Sequence, residues 1–391
     1  MSAPTKKIAE AWRTIDNTFV DRTFNNKDWF KIREDALSSS LKYKTIDEAY
    51  DQINQMTSLL GDKYTRLLRP TEYKTLVDAA TSKSVVAGVG IEIGKPTPTS
   101  NSRPTINDLE QNAPAFKSGL KKGDVFSSIN SVSIPPCDES NFCMTSLASN
   151  LRGDVNTDVT VEIIRGSGDK QQSQSFTLTR QQFAVTTVRS YISKSDSSVG
   201  VVRIKSFSTT TQDIVTDQIN ELKKKGAKNI LFDLRGNPGG SLQGGVDTAS
   251  LFLHINDDTV NVYNNKGGVD RQRAYVDGFD LDIPVAILVD ENTASAAEVM
   301  TAALQDNKRA VVISASNTFG KGIIQTIRPL SGDNEADNNG GGLAVTIAKY
   351  QTPNHTDINK KGIAPDVKLT DKCLDDDAGL CLPPNFFNLS R

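Results

Sequence analysis

Across the first 82 residues the apolar positions follow a helical period. Ile8, Trp12, Ile15 and Phe19 return at steps of four, three and four, which lays one stripe along a helix. A later helix opens at a capping box, Thr45 with Glu48, and carries Ala49, Ile53, Met56 and Leu60 on one face before Gly61 ends it. From Val85 to Arg180 the period shortens. "DVTVEIIRG" alternates apolar and polar residues as a half-buried strand does, and "FTLTR" follows it across the polar hairpin loop "SGDKQQSQS". "NAPAFKSGLKKGDVFSSINSVSI" reads as a short helix, a Gly-Asp turn and a strand. From Val199 strands and helices take turns: "VGVVRIKSF", an amphipathic helix ending at Gly226, "KNILFDLRGNPGGSLQGG", "PVAILVDE", a helix from Ala294 to Asp306, and "RAVVIS". That alternation predicts an α/β fold with parallel strands and loops free for chemistry at the strand ends. The late strand "GGGLAVTIAKYQTP" follows the loop "SGDNEADNNGGG". The expected division is a helical domain over 1–82, a strand-rich domain over 83–182, and an α/β domain over 183–391 that ends in a surface strap.

Composition narrows the picture. At 391 residues the chain exceeds one ordinary core. A net charge of −2 gives no field to gather nucleic acid or anionic lipid, and no 18-residue apolar run is present to span a membrane; peripheral membrane contact stays open. The N-terminus shows no secretory or transit segment, so the chain reads as cytosolic or as a mature form. The four cysteines fall as two local couples, Cys137 with Cys143 and Cys373 with Cys381. Neither couple has CxxC spacing or a nearby histidine, so no zinc site and no cofactor is expected. Two short disulfides would imply an oxidising compartment, and four separate thiols are the other reading.

Candidate chemistry is sparse. His254 ends an apolar run, and His355 sits in the polar turn "YQTPNHTDINKKG". The turn "DLRGNPGGS" lacks both GK[ST] and GxGxxG, which argues against nucleotide binding. What remains is serine with lysine. Ser295 stands where a strand hands over to a helix, the geometry that lifts a nucleophile out of a fold. Lys321 follows the next strand in "NTFGKGIIQ", where Phe319, Ile323 and Ile324 are available to wall it off. A lysine acting as a base near neutral pH must lose about 4–5 kcal/mol of ammonium stability relative to its usual pKa, and burial supplies that. The N–H of Ala296 at the helix start and a donor from Gly239 or Gly240 would face an oxyanion. From spacing alone, a serine in the first turn of a helix is more often structural.

Two resemblances change that balance. Gly88-Val89-Gly90-Ile91 and "APAFKSGLKKGDVFSSIN" resemble the carboxylate-binding loop and the signature stretch of a PDZ domain, with Ser131 where glycine usually follows the asparagine. The resemblance implies capture of a peptide's free C-terminus. "TASAAEVMTAALQDNKRAVVI", "TFGKGIIQ", "LAVTIAKYQTP", "DINKKGIAPDV" and "DLRGNPGG" resemble the carboxyl-terminal processing (tail-specific) protease family. That resemblance spans nearly the whole chain. It implies a serine–lysine endopeptidase with a core related to the crotonase and Clp protease folds, an inserted PDZ domain and an N-terminal helical segment. By position, Ser295 is the nucleophile, Lys321 the general base and Gln325 the residue that orients the lysine; Glu298, Asp306 and Arg235 match supporting positions. Two departures stand out: Ala297 replaces a common serine, and "VISASNTFGK" is one residue longer than the family's usual stretch. "EAWRTIDNTFVDRTFNNKDWFKIREDAL", "DKYTRLLRP" and "KYQTPNHTDINKKG" resemble the plant, algal and cyanobacterial branch. That branch implies a thylakoid-lumen enzyme acting on the C-terminal extension of a photosystem II reaction-centre subunit precursor, with a bacterial periplasm as the alternative compartment. A non-catalytic PDZ scaffold and a crotonase-like thioester enzyme are the competing readings.

Overall fold

The computed structural model describes all residues except 1, 82–84, 95–101, 138–140, 167, 333–339, 374–375, 385 and 390–391. Most of the "SGDNEADNNGGG" loop therefore lies outside the described residues. The chain forms two compact units, Met1–Thr75 with Thr187–Arg391, and Leu76–Thr186.

Three helices open the first unit: α1 (Ala3–Thr18), α2 (Trp29–Ser40) and α3 (Ile46–Ser58). Ser2 caps α1 by accepting from the Thr5 N–H, and the Thr45–Glu48 capping box starts α3. The stripe Ile8, Trp12, Ile15 and Phe19 is buried. It does not close a core of its own: with Trp29, Ile53 and Met56 it packs on Leu330, Leu343 and Val345 from the distant α/β region. The first 75 residues therefore belong to the same unit as that region. The physical cause is a sheet face that would otherwise be bare. Strand β1 (Arg66–Leu68) and helix α4 (Pro70–Thr81) then lead toward the second unit.

That second unit contains β2 (Val85–Gly88), β3 (Ile91–Gly94), β4 (Thr105–Leu109), α5 (Pro114–Lys117), β5 (Val125–Ile129), β6 (Val132–Ser133), α6 (Asn141–Leu151), β7 (Asp158–Arg165), β8 (Gln172–Thr179) and β9 (Gln181–Ala184). One antiparallel sheet runs β3-β4-β5-β7-β8, with β6 on β5, while β2 pairs only with β9. Its core holds Val89, Ile106, Leu120, Phe126, Val161, Ile163 and Leu178, joined by Leu147 and Leu151 of α6.

The chain re-enters the first unit with β10 (Val188–Ile192), β11 (Val199–Ile204), α7 (Thr211–Lys224), β12 (Asn229–Asp233), α8 (Leu242–Ser250), β13 (Asp258–Asn264), β14 (Val269–Arg273) and β15 (Val285–Leu288). It continues with α9 (Ala296–Asp306), β16 (Ala310–Ser314), β17 (Ile323–Pro329), β18 (Gly342–Gln351), β19 (Val367–Lys368) and α10 (Phe386–Leu389). One sheet has the order β10-β11-β12-β15-β16-β19 and is parallel except for β10. Every residue of β12 and β15 is buried, as continuous apolar runs in a parallel sheet should be. On one face lie Val215 and Ile219 of α7 with Met300 and Leu304 of α9. The other face is covered by the C-terminal strap through Ala378, Cys381, Phe386 and Phe387. The second sheet, β1-β18-β13-β14 with β17 on β18, is antiparallel.

The strap is closed by the disulfide Cys373–Cys381. Cys137 is also disulfide-bonded, and the side chain of Cys143 lies outside the described residues. Among the described residues no helix is long and apolar enough to cross a membrane, and no cluster of acidic, histidine or cysteine side chains is arranged to hold a metal ion.

Candidate active site

The parallel sheet delivers two turns to one place. After β15, the Asp290–Thr293 turn is tied by Asp290 Oδ1, which accepts from the N–H groups of Gly236 and Asn292 and from Thr293 Oγ1. Thr293 Oγ1 also donates to the Leu234 carbonyl, and the Ala294 N–H to the Asn237 carbonyl. The elbow after β15 is thereby fastened to the glycine-rich turn after β12. Ser295 follows with φ 57° and ψ −121°, and α9 starts at Ala296. A side-chain-bearing residue adopts that conformation only when its surroundings enforce it. It turns the chain sharply enough to present the serine between strand and helix.

Glu298, one turn into α9, is fully buried. Its Oε2 accepts from the N–H groups of Ser295 and Lys321, both at 2.9 Å. Its Oε1 accepts from Thr318 Oγ1 at 2.6 Å and the Gly320 N–H at 2.7 Å. One carboxylate thus binds the serine elbow and the lysine loop together, with four donors offsetting the cost of burying its charge. Tyr350, also buried, donates from its hydroxyl to the Ser295 carbonyl at 3.2 Å. Burial pushes its phenol well above the usual value.

Lys321 is half-buried. Burial holds its ammonium below the usual lysine value, while Glu298 and Asp62 pull in the opposite direction. Its Nζ lies 5.2 Å from the centre of the Tyr64 ring. Ile323 is buried, but Phe319 is largely exposed, so the aromatic wall against the lysine comes from Tyr64. Gln325 Nε2 donates to the Tyr64 backbone carbonyl at 2.8 Å, and so meets the lysine's surroundings through Tyr64. No hydrogen bond among the described residues joins Ser295 Oγ to Lys321 Nζ. Gly320 needs its glycine: φ is +81°, and a Cβ there would meet the backbone of Ile358, Lys361 and Gly362 within 2.8 Å. A groove of about 640 Å³ passes this point, lined in part by Leu60, Asp62, Tyr64, Phe319, Gly320 and Ile323.

Of the candidate oxyanion donors, the Ala296 N–H has no acceptor among the described residues, as befits the first residue of a helix. The Gly239 N–H is taken by Asn237 Oδ1 at 2.8 Å, whereas the Gly240 N–H has no such acceptor. Gly239 lies against Ser295, and a Cβ on it would come within 2.7 Å of Ser295 Cβ.

The other sequence-derived candidates lie elsewhere. Arg235 grips buried Asp233 with two nitrogens and donates to the Cys373 carbonyl, which anchors the strap. Asp306 ends α9 and accepts from the Asn354 N–H. His355 meets Tyr263, and His254 is exposed beside Asp277. The one-residue-longer stretch before the lysine is absorbed as a small turn. The Ser316 N–H donates to Ser314 Oγ and its hydroxyl to Glu291, and the chain returns to Glu298 at Thr318. In the second unit, the Val89 and Gly90 carbonyls accept from Ala115 and Glu110, while their own N–H groups have no acceptor among the described residues. They stand beside β3, which is an edge strand.

Residues 198–369 match peptidase family S41. A carboxyl-terminal-processing protease of Synechocystis is 35% identical over 368 residues, covering 92% of this chain and 80% of that protein. A chloroplastic C-terminal processing peptidase of Tetradesmus obliquus is 32% identical over 387 residues, covering 95% and 79%. Among solved structures, a photosystem II D1 C-terminal processing protease superposes with a TM-score of 0.65 at 30% identity over 94% of each chain. A putative S41 protease of Bacteroides fragilis shares the fold, with a TM-score of 0.57 at 14% identity over 92% of this chain and 89% of its own.

Proposed function

This chain belongs to peptidase family S41 and is a serine-type carboxyl-terminal-processing peptidase; from that premise we propose that Ser295 and Lys321 are its catalytic dyad. The observation that carries the assignment is the Glu298 clamp, which fixes the backbones of both residues on one carboxylate. In this mechanism neutral Lys321 takes the Ser295 hydroxyl proton, and Ser295 attacks the scissile carbonyl to give an acyl-enzyme. The lysine then returns the proton to the leaving amine and activates the water that frees the acyl group. The Ala296 N–H holds the oxyanion together with the Gly239–Gly240 turn, with Gly240 as the donor there, since the Gly239 N–H is occupied. Glu298 and Gln325 position the dyad; Arg235 and Asp306 act through the fold.

The second unit is, in this reading, an inserted PDZ domain. The N–H groups at Val89 and Gly90 receive the substrate's terminal carboxylate while the peptide adds a strand to β3. The substrate is then a protein with a free C-terminus. The photosystem II reaction-centre subunit precursor is our candidate, because the D1-processing protease matches over nearly its full length. The Cys373–Cys381 disulfide and the chloroplastic relatives favour the thylakoid lumen.

The test pairs two substrates with two variants. A tailed peptide with a free carboxylate is cleaved and its C-terminally amidated form is not, while Ser295→Ala and Lys321→Ala abolish cleavage and retain tail binding. Turnover surviving in Lys321→Ala would remove the dyad. Equal cleavage of both peptides would remove the second unit from recognition.

A further inference from the structure

We propose that Tyr64, 257 positions before Lys321 in the chain, is a positioning residue for that lysine: its ring seats the Lys321 Nζ and its carbonyl anchors Gln325. The inference rests on Lys321 being the general base, and it adds to that reading a residue from the helical N-terminal region.

Three observations converge on Tyr64. The Lys321 Nζ approaches the ring centre at 5.2 Å, within the range in which an aromatic face attracts an ammonium. The Gln325 amide donates to the carbonyl of the same residue, so β17 is tied to the Tyr64 turn by a side chain four positions after the lysine. The turn itself is held firmly. Asp62 accepts from the Tyr64 N–H, Thr65 Oγ1 and Thr346 Oγ1, and the Thr346 N–H donates to Thr65 Oγ1. Ring and carbonyl are thus presented by a fixed support on β18.

The charged and titratable groups around the lysine are Glu298 on α9, Asp62 and Tyr64 on the turn, and Lys63, whose Nζ lies 5.1 Å from the same ring. Glu298 and Asp62 are both engaged by other donors, so neither is a dedicated partner for the ammonium. The ring supplies a seat that carries no formal charge. It steadies the ammonium that forms when Lys321 takes the serine proton, without an ion pair that would fix the proton in place.

A distinctive signature follows. Tyr64→Leu keeps an apolar body but removes the π face, so the Lys321 ammonium loses stability and its pKa falls by up to about one unit. Tyr64→Phe keeps the face and leaves the pKa unchanged. The experiment is competitive labelling of the full chain with an amine-acylating reagent across pH, with modification of Lys321 read by peptide mass spectrometry, alongside the acid limb of kcat/KM. The expected result is a lower Lys321 pKa in Tyr64→Leu, wild-type behaviour in Tyr64→Phe, and an acid limb that tracks both. Thermal melts of each variant identify the folded fraction that is compared.

An identical Lys321 pKa in all three proteins would overturn the inference. So would a change in KM alone, which would make Tyr64 only a wall of the groove. A shift in Tyr64→Phe as large as in Tyr64→Leu would assign the effect to the hydroxyl and overturn the ring's role. If labelling shows the expected shift but the acid limb ignores it, the seat stands and Lys321 as the general base falls.

Discussion

Glu298 meets four donors with two oxygens, and those donors lie on the two segments that carry the proposed serine and lysine. Glu298→Gln keeps the shape but turns an NH₂ toward two of those donors. We expect at least a hundredfold loss of kcat and a stability cost of about 1–3 kcal/mol, read from steady-state kinetics and chemical denaturation. Gly239→Ala forces a Cβ against Ser295 at a φ of +100°, and a similar loss of kcat with little change in tail affinity is the expected outcome. Lys321 adds a pH dependence whose sign is fixed by its lowered pKa. The unfolded chain holds that proton more tightly than the folded one, so stability rises with pH between the folded value and 10.5. Lys321→Met should therefore be inactive yet melt higher than wild type at neutral pH, with the gap closing as pH approaches 10.5. Proteolysis in the wild type should rise with pH through that same lowered pKa, because the base we propose is the neutral amine.

At the scale of elements, the site is made where β12 and β15 end. The turn after β12 carries Asn237 and Gly239, and the elbow after β15 carries Ser295; hydrogen bonds from Gly236, Thr293 and Ala294 hold the two together. In the proposed mechanism helix α9 offers its start to the oxyanion; its first turn carries the clamp, and its far end at Asp306 accepts from the Asn354 N–H. The strap has a separate effect. Its apolar residues cover a sheet face, and Arg235 links it to Asp233 at the end of β12. Replacing both Cys373 and Cys381 by serine should cost about 2–3 kcal/mol on the loop-closure estimate for so short a loop. The melting temperature should drop while the KM for a tailed peptide stays near wild type.

For the whole molecule, the N-terminal helices and the α/β region share one core, so they fold or fail together. A chain beginning after α3 would leave Leu330, Leu343 and Val345 without cover, and we expect it to be insoluble or molten by near-ultraviolet circular dichroism. The second unit has a core of its own. Replacing residues 77–185 by a short linker should leave a folded first unit that no longer distinguishes free from amidated tails.

Periodicity alone determined much of this protein. The stripe from Ile8 to Phe19, the capping box at Thr45 and the buried runs of β12 and β15 are local patterns whose physics acts between neighbours in the chain. Ser295 and Lys321 were legible as candidates because a strand–serine–helix junction and a glycine-flanked lysine are also local. Tertiary structure decided the rest. Glu298 was legible as a supporting acid, but its four donors come from Ser295, Thr318, Gly320 and Lys321, and only folding gathers them. Gln325 matched a lysine-orienting position, and only folding brings its amide to the carbonyl of Tyr64, whose ring lies beside the lysine. Tyr64 gave no local sign of a role, since a ring beside a lysine 257 residues away exists only once β18 brings the two segments together. Local periodicity reports which face of an element is buried; which partner meets that face is set by contacts between distant segments, and no pattern along the chain encodes them.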